Sequence, residues 1–264
     1  MVLKRVVLGT SILLALVFLA VGCSPARTNH STNTKHVAAE PGDGVCRPVK
    51  VALLQDNSGS INWTGTPTLK GEDLDPLIDL LSCCGGELGF GLISDDSNRG
   101  LVRLTIDFSP AQPMEPSKEG NPFKVAKKHE AYQREMDEFN RRLATWQEAS
   151  EQRIVKFKAQ VNAILKREKL ARRTDVWDSV RRADLFLSED DSAWGQKPLV
   201  YAVFITDGQD NAKKERVVTM KSGAKLLLVN SYDSIGALKD LNLLKFESIE
   251  SALRFIIADT ERRD

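Results

Sequence analysis

Residues 199–206 read Leu-Val-Tyr-Ala-Val-Phe-Ile-Thr, and Asp207-Gly208 follows them directly. An apolar run of this length, rich in β-branched and aromatic residues, is typical of a strand buried in a parallel sheet. A second run of the same type, Val49–Gln55, is followed by Asp56. The two clearest strands of the chain therefore both end at an acidic residue, and the sequence at these ends is where we look for a site.

Strands and helices alternate outward from these two runs. Further strands are predicted at 87–94, 100–108, 225–230 and 243–247, and helices at 67–83, 123–173, 175–187, 212–222 and 249–257. Such alternation predicts an α/β fold with a doubly wound, mostly parallel, Rossmann-like sheet. The adjoining strands at 87–108 add one antiparallel edge strand.

The composition excludes several classes of protein. The chain has 264 residues, a formal charge of +1 and 42% hydrophobic residues. It is therefore not a disordered chain, and its balanced charge argues against a nucleic-acid partner. It contains neither a G-x-x-x-x-G-K-[ST] loop nor a G-x-S-x-G elbow, which argues against P-loop nucleotide chemistry and serine hydrolase chemistry.

Oxygen-bearing side chains collect where the predicted strands end and one helix begins. The segments are Asp56-Asn57-Ser58-Gly59-Ser60, Thr174-Asp175 and Asp207-Gly208. Doubly wound sheets bind ligands at the carboxyl ends of their strands. Because carboxylates and hydroxyls suit hard cations such as Mg²⁺, these segments together predict a metal site.

The order of these motifs resembles the von Willebrand factor type A (VWA) domain over roughly residues 47–260. That family's metal-ion-dependent adhesion site uses an Asp-x-Ser-x-Ser loop, a threonine and an aspartate. The resemblance implies hydroxyl ligands and carboxylates that bind Mg²⁺, or Mn²⁺ or Ca²⁺, the carboxylates directly or through water. The implied ligands are Ser58, Ser60 and Thr174 for the hydroxyls, and Asp56 and Asp207 for the carboxylates.

The resemblance implies a non-enzymatic function. Neutral hydroxyl ligands leave the positive charge of an ion largely uncompensated, so an Asp or Glu of a protein partner can fill an open coordination position. We expect a divalent-cation-dependent adhesion or assembly module. Two alternatives stay open: a metal-dependent envelope hydrolase, and a scaffold that acts through its long helix with an inactive metal site.

The N-terminus predicts export and a lipid anchor. Residues 1–22 contain Lys4 and Arg5, followed by an apolar run, as in a secretory signal peptide. The stretch Ala20-Val21-Gly22-Cys23 resembles a bacterial lipobox, which implies acylation of Cys23. Residues 23–45 are then a flexible tether and residues 46–264 the domain. We expect attachment to the cell membrane or the outer membrane, facing the periplasm or the surface.

Residues 109–173 are predicted to be an insertion, formed by a proline-containing loop and one long helix. Apolar residues recur in the helix at heptad-like spacing from Tyr132 through Phe139 to Trp146, and again at Phe157, Val161 and Ile164. Such a seam is typical of a helix that packs against its own domain. The alternative is a coiled-coil arm that binds a partner, associates with itself, or meets an acidic surface or lipid headgroups through its net positive charge.

Three further cysteines are candidates for a disulfide bond. Export implies an oxidising compartment, and Cys46 precedes the first strand while Cys83 and Cys84 end the first helix. We expect Cys46 to pair with one of the other two, which leaves one thiol over.

Overall fold

The computed structural model describes residues 47–95, 97, 99–166, 171–190, 194–212, 216–217, 219–230 and 236–261. The predicted signal peptide, Cys23, the tether and Cys46 lie outside the described residues, so they stay predictions.

Six strands and five α-helices make up the described chain. The strands are β1 (Val49–Asp56), β2 (Gly86–Ile93), β3 (Val102–Ile106), β4 (Leu199–Ile205), β5 (Lys225–Val229) and β6 (Leu243–Phe246). The helices are α1 (Ile61–Thr64), α2 (Asp75–Cys84), α3 (Pro122–Leu165), α4 (Val176–Leu187) and α5 (Ile249–Glu261), with short 3₁₀ helices at Gly71–Leu74 and Gly236–Asp240. The short helix α1 was not predicted.

The strands form one sheet in the order β3-β2-β1-β4-β5-β6. All neighbouring strands are parallel except β2 and β3, which are antiparallel. The predicted fold class is therefore confirmed: a doubly wound, mostly parallel sheet with one antiparallel edge strand. The direction of winding reverses between β1 and β4, and this switch point is where such folds bind ligands.

Each face of the sheet is covered by a separate apolar layer. Val51 and Leu53 of β1 point to one face, and Ala52 and Leu54 point to the other, as the two-residue period of a strand requires. Helices α2, α5 and the C-terminal part of α3 cover the first face, whereas α4 covers the second. Both faces of the central strands are thus dry, which explains the unbroken apolar runs in the sequence.

Helix α3 packs through its C-terminal part against the domain. Its 44 residues extend over about 66 Å at the usual rise of an α-helix. Phe157 and Val161 are buried in the core, and Trp146 Nε1 donates a hydrogen bond to the carbonyl of Asp107 at 3.0 Å. The predicted packing of the seam against the domain is confirmed for this part. Among the helices in the described part of the chain, α3 included, none has the length and apolar character to cross a membrane.

The proline-containing segment before α3 is an extended strap along the helix. One end is fixed where Asp107 bonds to Trp146, and the other end caps the helix, because Asn121 accepts a hydrogen bond from Phe123 N. These two points lie about 36 Å apart along the helix, at 1.5 Å per residue. The 14 intervening steps reach about 43 Å in a polyproline II conformation, so the strap must be nearly extended. Every third residue of it, Pro110, Pro113 and Pro116, is half-buried, as the three-residue turn of that conformation requires. We call residues 107–146, strap and helix together, the arm.

Two predicted helices do not have the expected extent. The long helix ends at Leu165 rather than at residue 173, because Ala171 pairs with Ser58 as an isolated parallel bridge. The described residues between 212 and 222 are not helical. There the backbone N–H groups of Lys221 and Ser222 donate to the carboxylate of Asp184, so a contact with α4 replaces a helical hydrogen bond. In both segments tertiary pairing overrides local helix propensity.

Cys83 and Cys84 are both disulfide-bonded, and the described residues contain no free cysteine. The expectation that one of these two stays a free thiol is therefore wrong. The predicted pairing of Cys46 lies outside the described residues.

Replacement of Phe157 by Ala tests the packing of α3. The ring is 1% exposed, and its removal leaves a cavity, so we expect the free energy of unfolding to fall by about 3–5 kcal/mol. Chemical denaturation followed by circular dichroism measures this loss. Val155→Ala, on the exposed side of the same helix, is the control and should change stability by less than about 0.5 kcal/mol. Equal effects of the two substitutions would contradict the packing described.

Candidate functional site

The site begins at the carboxyl end of β1. Asp56 is 1% exposed. Its Oδ1 accepts a hydrogen bond from the backbone N–H of Ser58 at 2.8 Å, and its Oδ2 accepts one from the Thr206 hydroxyl at 2.6 Å. The second bond follows from the register, since Gln55 of β1 pairs with Ile205 of β4 and the next residues of the two strands are neighbours. The ends of the two central strands are thus joined by a side-chain hydrogen bond.

Asp207 lies one residue further along the β4 loop and is buried. Its Oδ1 accepts a hydrogen bond from Gln209 N at 2.9 Å. Its Oδ2 is buried and accepts no hydrogen bond from any described residue. Asp210 Oδ2, three residues further along, is likewise buried without a hydrogen-bond donor among the described residues. Buried carboxylate oxygens without donors are costly, so the β4 loop presents acidic oxygens that a cation would satisfy.

Glycines hold the β4 loop in its tight conformation. Gly208 has a φ of 73°, and its N–H donates to Thr206 Oγ1 at 3.0 Å. Its carbonyl accepts a hydrogen bond from Ala237 N at 2.6 Å. A Cβ at Gly236 would collide with that same carbonyl, so only glycine fits there. The loop that carries Asp207 is therefore fixed from two sides.

The two serines of the β1 loop face each other. Ser58 Oγ and Ser60 Oγ lie 2.9 Å apart, and either hydroxyl can donate. Ser58 is buried, and Ser60 is the N-cap of α1. The turn from β1 into α1 thus brings both hydroxyls to the same side of the loop.

The third loop, which contains Thr174, is tied to the other two. Ala171 N donates to the carbonyl of Asn57 at 2.9 Å, which fixes this segment to the β1 loop. Thr174 N donates to Asn211 Oδ1 at 2.8 Å, and Asn211 N donates back to the Thr174 carbonyl at 3.2 Å. Thr174 itself is buried, and α4 begins two residues later.

All five predicted site residues therefore lie on three loops that are hydrogen-bonded to one another. Asp56, Ser58 and Ser60 occupy the first loop, Thr174 the second and Asp207 the third. Sequence reasoning missed the residues that join these loops, namely Thr206, Asn211 and Ala171. The position of Thr206 beside Asp56 follows from parallel pairing of β1 and β4 in register, whereas the other two contacts have no signal in the sequence.

The electrostatics of the site favour a cation. Burial raises the pKa of Asp56, and the negative charge of Asp207 raises it further, while hydrogen bonds from Thr206 and Ser58 act in the opposite direction. No Lys or Arg among the described residues forms an ion pair with Asp56 or Asp207. Two neighbouring buried carboxylates without a counter-ion repel each other, and a bound cation relieves this repulsion.

The donor set fits a hard divalent cation. The oxygens of two adjacent ligands of Mg²⁺ are about 2.9 Å apart, given octahedral geometry and a metal–oxygen distance of 2.0–2.1 Å. Ser58 Oγ and Ser60 Oγ lie at this separation. No group of three or more His, Cys, Asp or Glu that could hold a metal occurs among the described residues. A site here consequently depends on hydroxyl ligands, which suit Mg²⁺ better than softer metals.

No family model and no curated protein matches the chain. Its fold is similar to three solved structures, each matched over 81% of this chain. A von Willebrand factor type A protein from Catenulispora acidiphila is 10% identical with a TM-score of 0.43. Proximal thread matrix protein 1 from the mussel byssus is 12% identical with a TM-score of 0.35. The pilus adhesin SpaC from Lactobacillus rhamnosus GG is 12% identical with a TM-score of 0.39. The chain spans 43%, 48% and 30% of these structures, respectively.

Replacement of Thr206 by Val tests the bond between the two central loops. The substitution leaves Asp56 Oδ2 without its donor and Gly208 N without its acceptor. We expect the free energy of unfolding in EDTA to fall by about 1–3 kcal/mol, the usual cost of buried groups left unpaired. Thr206→Ser keeps the hydroxyl and should retain most of the stability. If Val and Ser variants unfold at the same denaturant concentration, the hydrogen bond does not hold the loops.

Proposed function

We propose that the described domain is of the VWA type and binds a divalent cation, through which it captures an acidic side chain of a protein partner. One observation carries the proposal. Three loops joined by hydrogen bonds bring two serine hydroxyls and two carboxylates together. The serine hydroxyls lie 2.9 Å apart on the loop that follows the buried Asp56. The neighbouring carboxylate, Asp207, has one oxygen without a donor among the described residues.

The two carboxylates have different roles in this proposal. Asp56 already accepts a hydrogen bond on each of its oxygens. Asp207 accepts one on Oδ1 alone. Asp207 is thus better placed to contact a cation directly, and Asp56 to act through water while it orients the serine loop.

The hydroxyls of Ser58, Ser60 and Thr174 complete the donor set. They are neutral, so they add ligand oxygens without adding negative charge. A divalent cation bound there would keep enough positive charge to attract a carboxylate from another protein. Such a contact is charge-assisted and partly desolvated, which makes it stronger than an exposed surface ion pair.

Binding rather than turnover is the proposed outcome. Asp56, whose pKa is raised by burial, is hydrogen-bonded on both oxygens, so neither oxygen faces a substrate. A hydrolase would need an accessible general base near the cation. We therefore propose an adhesion or assembly module at the bacterial cell envelope, with acylated Cys23 as its membrane anchor.

Asp207→Asn tests the cation site. The substitution removes one charge from the atom that has no donor, and we expect Mg²⁺ or Mn²⁺ binding, measured by isothermal titration calorimetry, to weaken by more than the 10–100-fold typical of an outer-shell change. Asp240→Asn is the control. It removes the same charge, but its carboxylate lies outside the three loops and pairs with Arg216 at 2.9 Å. The control should bind the cation nearly as the unchanged protein does.

The same pair of variants tests whether the cation captures a protein partner, and Asp56→Ala tests for catalysis. Envelope proteins captured by the unchanged chain in Mg²⁺ should be lost in EDTA and with Asp207→Asn, but kept with Asp240→Asn. A set of captured proteins that is the same in Mg²⁺ and EDTA would contradict the proposal. Phosphoester or peptide turnover that disappears in Asp56→Ala would instead favour a hydrolase.

Cys23→Ser tests the proposed anchor. Without the thiol no acyl chain can be attached, so incorporation of labelled palmitate should be lost and the chain should leave the membrane fraction. Two or more acyl chains are needed for stable anchoring, which makes this a large effect. Ser24→Ala, at the next residue, is the control. Equal labelling of both variants would rule out Cys23 as the acylated residue.

A further inference from the structure

The free end of the arm presents an exposed aromatic ring. Phe123, in the first turn of α3, is 87% exposed. It lies 34 residues before Phe157, which is buried in the core. That separation corresponds to about 51 Å along the helix. We call residues 117–128 the arm tip.

Positive charge is concentrated at the arm tip. Between Pro122 and Lys128 there are three lysines and no acidic residue, whereas between residues 129 and 152 there are six acidic and three basic side chains. Lys124, Lys127 and Lys128 are exposed, and none forms an ion pair within the described part of the chain. The lysines at this end of α3 thus have no acidic neighbour within the helix up to residue 128, and Glu119 of the strap is the one acidic residue of the arm tip. At the other end of α3, Arg153 and Lys158 pair with Asp107 and Asp75.

The combination favours a lipid surface over a protein pocket. Protein interfaces bind through clusters of packed aromatic and aliphatic side chains surrounded by a polar rim. At the arm tip the only large apolar side chain recorded as exposed among the described residues is Phe123, and all its charged neighbours within the helix are lysines up to residue 128. An exposed aromatic ring beside lysines is suited to the headgroup region of an anionic bilayer, where the ring leaves water and the lysines meet lipid phosphates.

We propose that the arm tip docks on an anionic lipid bilayer, with Phe123 in the headgroup region and Lys124, Lys127 and Lys128 on lipid phosphates. Each lysine near such a surface contributes roughly fivefold to binding. The contact is too weak to anchor the chain alone, but it fixes the orientation of a domain that is held at the membrane by another segment. This role is independent of the cation site.

Photocrosslinking of the full chain tests the proposal. Phe123 is replaced by p-benzoylphenylalanine, and the protein is mixed with phosphatidylcholine vesicles with or without phosphatidylglycerol. We expect lipid adducts at position 123 that depend on phosphatidylglycerol and decrease at least tenfold when Lys124, Lys127 and Lys128 are all changed to Glu. The same probe at Val155, which is 61% exposed on the same helix, should give no lipid adduct that depends on phosphatidylglycerol.

Charge and folding are controlled by a second triple variant. Arg134, Arg141 and Arg142 changed to Glu alter the net charge by the same amount but lie away from the arm tip, and they should leave the adduct yield unchanged. The proposal is overturned if the yield is the same without phosphatidylglycerol, or if both triple variants lower it equally. It is also overturned if, with envelope extract present, position 123 crosslinks to a second copy or to an acidic protein in place of lipid.

Discussion

The parallel pairing of β1 with β4 at the centre of the sheet is the constraint on which the site depends. Because Gln55 pairs with Ile205, the two strands end level with each other, and Asp56 meets the Thr206 hydroxyl at 2.6 Å. Asp207 follows at once on the β4 loop. If β4 shifted by one residue relative to β1, the side chains of β4 would point to the opposite face of the sheet and these groups would separate.

The third loop is secured to this pair and to the end of β2, where Asp175 N donates to the carbonyl of Ser94 at 3.1 Å. Ala171 bonds to the β1 loop and Thr174 to Asn211 of the β4 loop, so the Thr174 segment bridges the two. The insertion formed by the strap and α3 lies between β3 and this segment in the chain. A long insertion is tolerated at this point because its helix is fixed independently, by Phe157 and Val161 in the core.

The sequence was sufficient for the parts of the fold that depend on local pattern. Unbroken apolar runs located β1 and β4, and alternation with helices predicted the mostly parallel sheet. The motif order identified five candidate site residues, and in the structure these lie on three loops joined by hydrogen bonds.

Tertiary pairing could not be predicted from the sequence. Nothing in residues 166–173 indicates that the helix ends before Ala171, whose N–H bonds to the carbonyl of Asn57. Likewise, the sequence does not show that the backbone N–H groups of Lys221 and Ser222 donate to the carboxylate of Asp184, 37 and 38 residues earlier, in place of helical hydrogen bonds. The prolines of the loop were recognised, but the three-residue spacing of Pro110, Pro113 and Pro116, all half-buried, could be interpreted only when both ends of the strap were known to be fixed.

We propose that Ser58, Ser60, Thr174, Asp56 and Asp207 surround one divalent cation. Crystals grown with Mn²⁺ and measured at the manganese absorption edge test it most directly. We predict one anomalous peak within about 2.0–2.6 Å of Asp207 Oδ2 and the serine hydroxyls, with Asp56 nearby through water. A clear map with no peak at these oxygens, or a peak bound by other residues, would contradict the account.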